Sequence, residues 1–365
     1  MSPSRSSTAG ASLRELDWLM GAVVCLCCFG MVLAVSIHGP KTDVGPLLAM
    51  RGQGTKLFVG VVALLAAALI PLPLYRRAAP AFLIGSTLLC AAALLFPDVN
   101  GARRWIRLGF TTFQPTELAR FALIVWAAGR IADTGPHAAR FRAGFVTLMA
   151  PAALLGVILV AQPDVGNAVF AITLAAVMAL VGGVRLAHFT LAGLPIATLA
   201  VALVATKPHV QDRLTGFLEV QPGSQVWQSL VAISSGGLWG RGLGEGWMKM
   251  GFVPEAGNDF VFAVVGEELG FLGGAAVIAL YTTIGWVGLR LFLRLSDPFH
   301  RMLVFGFTFA ICMQATINLL VVTGMAPAKG IDLPFLSSGG TNLAFSLAAI
   351  GIIGNAARTD PRAHG

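Results

Sequence analysis

Apolar runs of about twenty residues, parted by short polar or charged turns, recur from one end of the chain to the other. At 1.5 Å of rise per helical residue, about 20 such residues cross the apolar core of a bilayer. The pattern predicts ten spans, at 18–37, 57–73, 79–96, 116–132, 143–161, 166–182, 186–205, 259–292, 301–325 and 339–356. The sixth is short and has to stand nearly upright. The eighth is long and has to tilt or protrude, since nothing from Glu268 to Arg290 reads as a dividing loop. The expected fold class is an all-α polytopic membrane protein. Its expected parts are a disordered N-terminus (1–14), one transmembrane domain (15–357) containing one long loop (206–258), and a short tail (358–365).

Composition sharpens this picture. Of 365 residues, 56% are hydrophobic and 12% charged, about half the charged share of a soluble domain. Little polar sequence remains for a separate soluble unit. Cys25, Cys27, Cys28, Cys90 and Cys312 all fall in apolar runs without metal-ligand spacing, so packing rather than disulfide formation is expected. The net charge of +8 is scattered over loops, which fits anionic lipid and argues against a nucleic-acid partner. The polar leader and first apolar run imitate a signal peptide, but no small-residue cleavage site follows Val35, so the run reads as a retained helix.

Basic residues set the orientation. With the N-terminus inside, inner segments hold thirteen and outer segments eleven. The short loops decide: Arg76-Arg77, the 130–142 loop and the 290–301 loop share one side, which places both termini in the cytoplasm. The near-tie carries information, because the outer side is ordinarily depleted of cations. Yet Arg103, Arg104 and Arg107 crowd one outer loop. Arginine's planar fork matches phosphate oxygens; contact with headgroups or pairing with Asp98 is the alternative.

Four stretches have the residue types for chemistry. In the first, Asn100 to Gly109 is followed by Phe113 to Arg120, where Pro115 opens a helix. Glu117 and Arg120 share a face three residues apart, as an anchoring ion pair or as the wall of a polar cavity. In the second, Gln162 to Gly166, Asp164 either caps the sixth span or touches a ligand. The third, Gly251 to Gly273, is the one around which the chain is organised. There a polar mouth with Glu255, Asn258 and Asp259 opens into the eighth span, with Glu267 and Glu268 following. Carboxylates at the start of a membrane helix need water, a partner or a proton. Phe260 and Phe262 flank Asp259 with apolar surface, an environment that drives a carboxyl toward the pKa of a general base, unless Asp259 simply caps the helix. Glu267 and Glu268 diverge by about 100° around the helix, so at most one is expected to face the same cavity. The fourth stretch, Gly324 to Asn342, contains Lys329, Ser337, Ser338 and Gly339-Gly340; its small residues admit a ligand or another helix to the backbone. Within 206–258, the glycines and Trp227, Trp239 and Trp247 suit a re-entrant or interfacial lid, or else a plain surface loop.

No phosphate-loop, dinucleotide, zinc, serine-elbow or haem motif occurs. Two classes of function remain. A transporter would carry charge near the bilayer centre, often at broken helices. An enzyme acting on a lipid-linked phosphorylated substrate would gather its polar groups in outer loops, which is the pattern observed.

The stretches GARRWIRLG, FQPTELAR, QPDVGNA, RLTGFL, QSLVAISSGGLWGRGLG, PEAGNDFVFAVVGEELG and PAKGIDLPFLSSGGTN occur in an order that resembles the SEDS family (shape, elongation, division and sporulation) over nearly the whole chain. PAKGIDLPF is closer to the FtsW division branch than to the RodA elongation branch. The resemblance implies ten membrane helices and polymerisation of lipid II, an undecaprenyl-pyrophosphate disaccharide-pentapeptide, into glycan strands. It implies further that the essential carboxylate is Asp259, that the loop tryptophan is Trp105, and that the paired glutamate and basic residue are Glu117 and Arg120. A class B penicillin-binding transpeptidase and other divisome proteins are the implied partners, and the inner membrane at the division septum the implied location. The chain departs from the family pattern at Gly257, where histidine is usual, at Ser338, where tyrosine is usual, and in a shortened loop from Phe217 to Gln228.

The implied reaction joins the 4-hydroxyl of one sugar to the anomeric carbon of another, with inversion and departure of undecaprenyl pyrophosphate. Asp259 is the expected general base. Arg103, Arg104, Arg213 and Lys329 are the expected cations for the leaving pyrophosphate, and Trp105, Glu117, Arg120, Asp164, Ser337 and Ser338 further substrate contacts, with Asn258, Glu267 and Glu268 in support. A divalent cation is compatible with this chemistry, though no ligand set identifies one. The rival expectation is a lipid II flippase.

Overall fold

Every expected span meets a helix over the residues described, because apolar side chains and internally satisfied backbone are what a bilayer demands. The computed structural model describes residues 6–38, 46–97, 103–107, 112–191, 193, 222–247, 257–327 and 330–360; most of the seventh expected span lies outside them. The helices are α1 (Ser6–His38), α2 (Pro46–Leu69), α3 (Leu72–Ala93), α4 (Pro115–Thr134), α5 (Thr147–Ala161), α6 (Val165–Val181), α7 (Gln225–Gly236), α8 (Val261–Arg294), α9 (Pro298–Val322) and α10 (Gly340–Thr359). A π-helical turn, Phe141–Val146, leads into α5. The one departure from an all-α fold among the described residues is a two-residue antiparallel pair, β1 (Ile106–Arg107) on β2 (Thr112–Phe113). Six helices there are long and apolar enough to cross a membrane.

Local chemistry sets the helix ends. Proline stands in the first turn of α3, α4 and α9, where its missing N–H is no loss. Asp164 caps α6, Ser224 caps α7, and Asp297 accepts from the amides of Phe299 and His300 to cap α9. Several boundaries differ from expectation: α2 begins at Pro46 rather than 57 and α3 at Leu72 rather than 79. The chain is helical from Ser6 rather than disordered to residue 14, since the Ala, Leu, Arg and Glu preceding the first span are strong helix formers. At the other end α10 runs to Thr359, and Asp360 is buried against Ser296 and Asp297, so the tail begins later than residue 358.

α8 and α9 pack together, α1 and α7 flank α8, α3 lies on α4, α5 on α6, and α2 on α10. The α2–α10 crossing is close because Gly351 has no side chain: a Cβ there would stand 2.3 Å from the Leu64 carbonyl oxygen. The opposite face of α2, with Phe58, Val62, Leu65 and Leu69, is exposed, as expected of a surface that meets lipid.

The eighth expected span is not uninterrupted. Gly270 breaks the backbone of α8 with φ 67° and ψ −162°, a conformation open to glycine and strained for other residues. A Cβ there would meet the Gly240 nitrogen at 2.3 Å. The segment after α7 fills the break: Arg241 N–H donates to Glu267 O, Gly242 N–H to Glu268 O, and Phe271 N–H to Gly237 O, all within 3.0 Å. Irregular backbone at membrane depth needs such internal partners. The glycines read as a lid therefore brace a broken helix.

Candidate active site

The start of α4, the turn before α8 and the turn before α10 meet around a cavity of about 170 Å³. Arg104, Trp105 and Gln114 line it from the segment before α4, Glu117 and Arg120 from α4, and Asn167 from α6. Asn258 and Asp259 line it from the turn before α8, Gln314 from α9, and Gly330, Ile331, Asp332 and Gly339 from the turn before α10. Residues more than two hundred positions apart thus share one small polar space.

Hydrogen bonds sew the turn bearing Asp259 to the turn before α10. Ser337 Oγ donates to the Asn258 carbonyl at 2.6 Å and accepts from Leu333 N–H at 2.7 Å. Ser338 N–H donates to the Gly257 carbonyl at 2.9 Å. From α9, the Asn318 amide nitrogen donates to the carbonyls of Asp259 and Ile331, both at 2.7 Å, and Gln314 Nε2 donates to the Asp332 carbonyl at 2.9 Å. Asp259 is held by its main chain while its side chain lines the cavity. The cap position of α8 falls on Phe260, where no side chain caps the helix.

Two arginines give the cavity its charge. Arg104 pairs with Asp164 at 3.8 Å, and a Cβ on Gly330 would be 2.9 Å from Asp259 Oδ2 and 3.8 Å from Arg104 Nη2, so carboxylate and guanidinium are neighbours. Arg120 bonds Glu117 and stacks over the Phe170 ring at 4.5 Å. It is buried, yet among the described residues its Nη1 has no hydrogen-bond partner, and neither does Arg104 Nε. A buried guanidinium N–H without an acceptor is destabilising until an acceptor arrives. From Glu117, Arg120 and Gln314 a narrower apolar cleft of about 40 Å³ continues between Phe121, Phe170, Phe307 and Phe345.

Some expected residues lie elsewhere. Arg103 is exposed, with its Nη1 3.5 Å from the Leu94 carbonyl at the end of α3. Ser337 and Ser338 are buried as ties, not among the lining residues. Neither Glu267 nor Glu268 lines this cavity, within the expectation that at most one would. Glu268 accepts from Ser36 Oγ on α1 and from Gly244 N–H, and Glu267 accepts from Trp247 N–H; both are buried. They face the segment after α7 because that segment needs acceptors where it crosses α8. Asp164 takes the capping reading: it accepts from Asn167 N–H and Nδ2, and it also pairs with Arg104 from outside the lining of the cavity. Arg213 and Lys329 lie outside the described residues, as does the side chain of Arg107. Lys56, Asn167, Gln314, Asn318 and Asp332 were not anticipated: Lys56, Gln314 and Asn318 sit in or at the edge of apolar runs, while Asn167 and Asp332 lie within the QPDVGNA and PAKGIDLPFLSSGGTN stretches. Among the described residues no group of three or more His, Cys, Asp or Glu side chains is placed to hold a metal.

The family model of the cell cycle proteins, FTSW_RODA_SPOVE, matches residues 16–361. A probable peptidoglycan glycosyltransferase FtsW of Geobacter sp. (strain M18) is 33% identical over 350 residues, covering 92% of this chain and 95% of that protein. Stage V sporulation protein E of Bacillus subtilis (strain 168) is 36% identical over 274 residues, covering 73% and 75%. Among solved structures, the Thermus thermophilus rod shape determining protein RodA aligns at a TM-score of 0.71 and 26% identity, over 94% of this chain and 96% of that one. A chain from the work "Structural coordination of polymerization and crosslinking by a peptidoglycan synthase complex" aligns at 0.80 and 25%, over 94% and 97%.

Proposed function

Because the chain belongs to the FTSW_RODA_SPOVE family of cell cycle proteins, we propose that its cavity carries out the glycosyl transfer for which its relatives are named, with Asp259 as general base. The protein is a multi-pass membrane peptidoglycan glycosyltransferase of the FtsW branch. The observation that carries the site assignment is a carboxylate beside two arginines with unpartnered N–H groups in one small cavity.

The step balances as follows. Asp259 takes the proton of the acceptor 4-hydroxyl as that oxygen bonds the donor anomeric carbon. The bond from that carbon to the pyrophosphate oxygen breaks, and undecaprenyl pyrophosphate leaves as an anion. An α-linked donor becomes a β-1,4 link by a single inverting displacement. The leaving group needs positive charge more than a proton, unlike the acid-base pair of hydrolytic glycosidases. Arg104 and Arg120 supply that charge with fixed donors in a buried site. The cavity is smaller than the roughly 300–1,000 Å³ of a typical ligand pocket, so it holds the reacting centre while the remainder of the lipid-linked substrate lies outside it. The apolar cleft continuing from Arg120 suits the first units of the prenyl tail.

In this reading both termini are cytoplasmic, the cavity opens outward, and the enzyme works at the division septum beside a class B penicillin-binding transpeptidase. The likeness to a chain of a synthase complex that coordinates polymerization with crosslinking supports such a partner. Purified protein with that partner is expected to build glycan strands from labelled lipid II, and Asp259→Asn to insert and fold but build none. Strand synthesis by Asp259→Asn at the normal rate would remove the general base. Lipid II movement across vesicles without synthesis by the wild type would return the flippase reading.

A further inference from the structure

α2 faces outward along most of its length, yet it sends one cation inward. Lys56 is half-buried between the exposed Thr55 and Phe58, and its Nζ donates to the Ser338 carbonyl at 2.7 Å. Its stem lies on Gly340, where a Cβ would stand 3.3 Å from the lysine Cγ. On the other side of the same turn, the Asp332 carboxylate lies against Gly339; a Cβ on Gly339 would be 2.1 Å from Asp332 Oδ2. Asp332 lines the cavity together with Asp259 and is within electrostatic reach of Lys56. Besides Asp259 and the Arg120-paired Glu117, the cavity therefore has a third carboxylate that the reaction as drawn does not use, and a lysine behind it.

We propose that Lys56 is a positioning residue for the glycosyl transfer: it clamps the turn before α10 at Ser338 and balances the charge of Asp332, so that Asp259 remains correctly placed and ionised. The proposal rests on the general-base reading of Asp259. Two physical effects converge. The clamped turn is the one sewn to Asp259 through Ser337, Ser338 and Asn318, and displacement of a reacting group by about 1 Å lowers a rate about a hundredfold. In addition, a second negative charge in a small cavity disfavours ionisation of the first. Among the described residues, the charged groups that share the cavity with Asp259 are Arg104 from the segment before α4, Glu117 and Arg120 from α4, and Asp332 from the turn before α10, with Asp164 behind Arg104. Lys56 reaches this set from α2, on the side of Asp332.

The test measures lipid II polymerisation by the full chain with its partner across a pH series, for wild type, Lys56→Met, Lys56→Arg, Asp332→Asn and the Lys56→Met/Asp332→Asn double variant. Lys56→Met is expected to lower kcat about tenfold or more, with a smaller change in KM. It is also expected to move the acidic limb of the pH–rate profile upward by about half a unit or more, because Asp259 then keeps its proton to higher pH. Lys56→Arg should restore most of the rate. Asp332→Asn alone should move the limb downward, and in the double variant the limb should return toward the wild-type position while kcat remains low. A Lys56→Met enzyme with the wild-type profile overturns the proposal. So does a limb that Asp332→Asn leaves unmoved, a measurement that survives even if Lys56→Met fails to fold. Asp259→Asn assayed in parallel separates the two ideas: activity there sinks the general base, whereas an inactive Asp259→Asn beside an unaffected Lys56→Met sinks only the clamp.

Discussion

Two carboxylate sites at opposite ends of the helical bundle, one buried and one half-buried, show how the same residue type is used in two ways. Asp360, at the end of α10, accepts hydrogen bonds from Ser296 N–H, Ser296 Oγ and Asp297 N–H, with His300 Nδ1 at 3.7 Å. It is 1% exposed and closes the junction between α8, α9 and α10. Around Asp259 the side chains line a cavity, and Arg104 and Arg120 hold N–H groups with no acceptor. A satisfied carboxylate stabilises a joint. Polar groups left without partners in a cavity give up stability to be ready for a ligand.

The comparison breaks most sharply through the two aspartates. Asp259→Asn is expected to reduce strand synthesis by about a hundredfold or more, the scale of lost general-base catalysis, with unchanged thermal unfolding in detergent. If unfolding shifts as well, the site was structural. If Arg120 meets the pyrophosphate as proposed, Arg120→Gln removes charge-assisted hydrogen bonds, each about 1.5–3 kcal/mol, and should raise KM about tenfold or more; the readout is initial rate against lipid II concentration. At the opposite end the order reverses. Asp360→Ala leaves two backbone amides and a hydroxyl buried without acceptors, and should destabilise by about 3 kcal/mol while the folded fraction retains its specific activity. Gly236→Ala pushes a methyl to within 1.9 Å of the Gly266 carbonyl oxygen, where α7 crosses α8. About 1–3 kcal/mol of strain is expected, checked by the melting temperature. The smallest effect belongs to the exposed Arg76–Asp133 pair, whose side chains are 42% and 48% accessible. Arg76→Ala should change stability by less than about 1 kcal/mol.

How far the sequence reveals each of these features depends on the distance between partners. Asp164 as a cap, Pro115 as a helix start and the Glu117–Arg120 pair are short-range, and periodicity and capping rules find them directly. Asp259 stands out through its surrounding motif. The serines at 337 and 338 illustrate the limit. Their chemistry suits a ligand or a tie equally, and only their position opposite Gly257 and Asn258 makes them ties. The eighth span illustrates another: Leu269-Gly270-Phe271 reads as continuous helix, and the break becomes evident only where the glycines after α7 arrive with matching donors.

Hydropathy and helix-end chemistry act over a few residues, so the chain alone determined that it is a bundle of membrane helices, the starts of α4 and α6, and which aspartate precedes the eighth span. The burial of Glu268 against a serine 232 positions away, and the approach of Lys56 to a carbonyl 282 positions away, belong to the packed bundle alone. No local rule specifies which helix faces meet once the bilayer has made nearly every helix apolar.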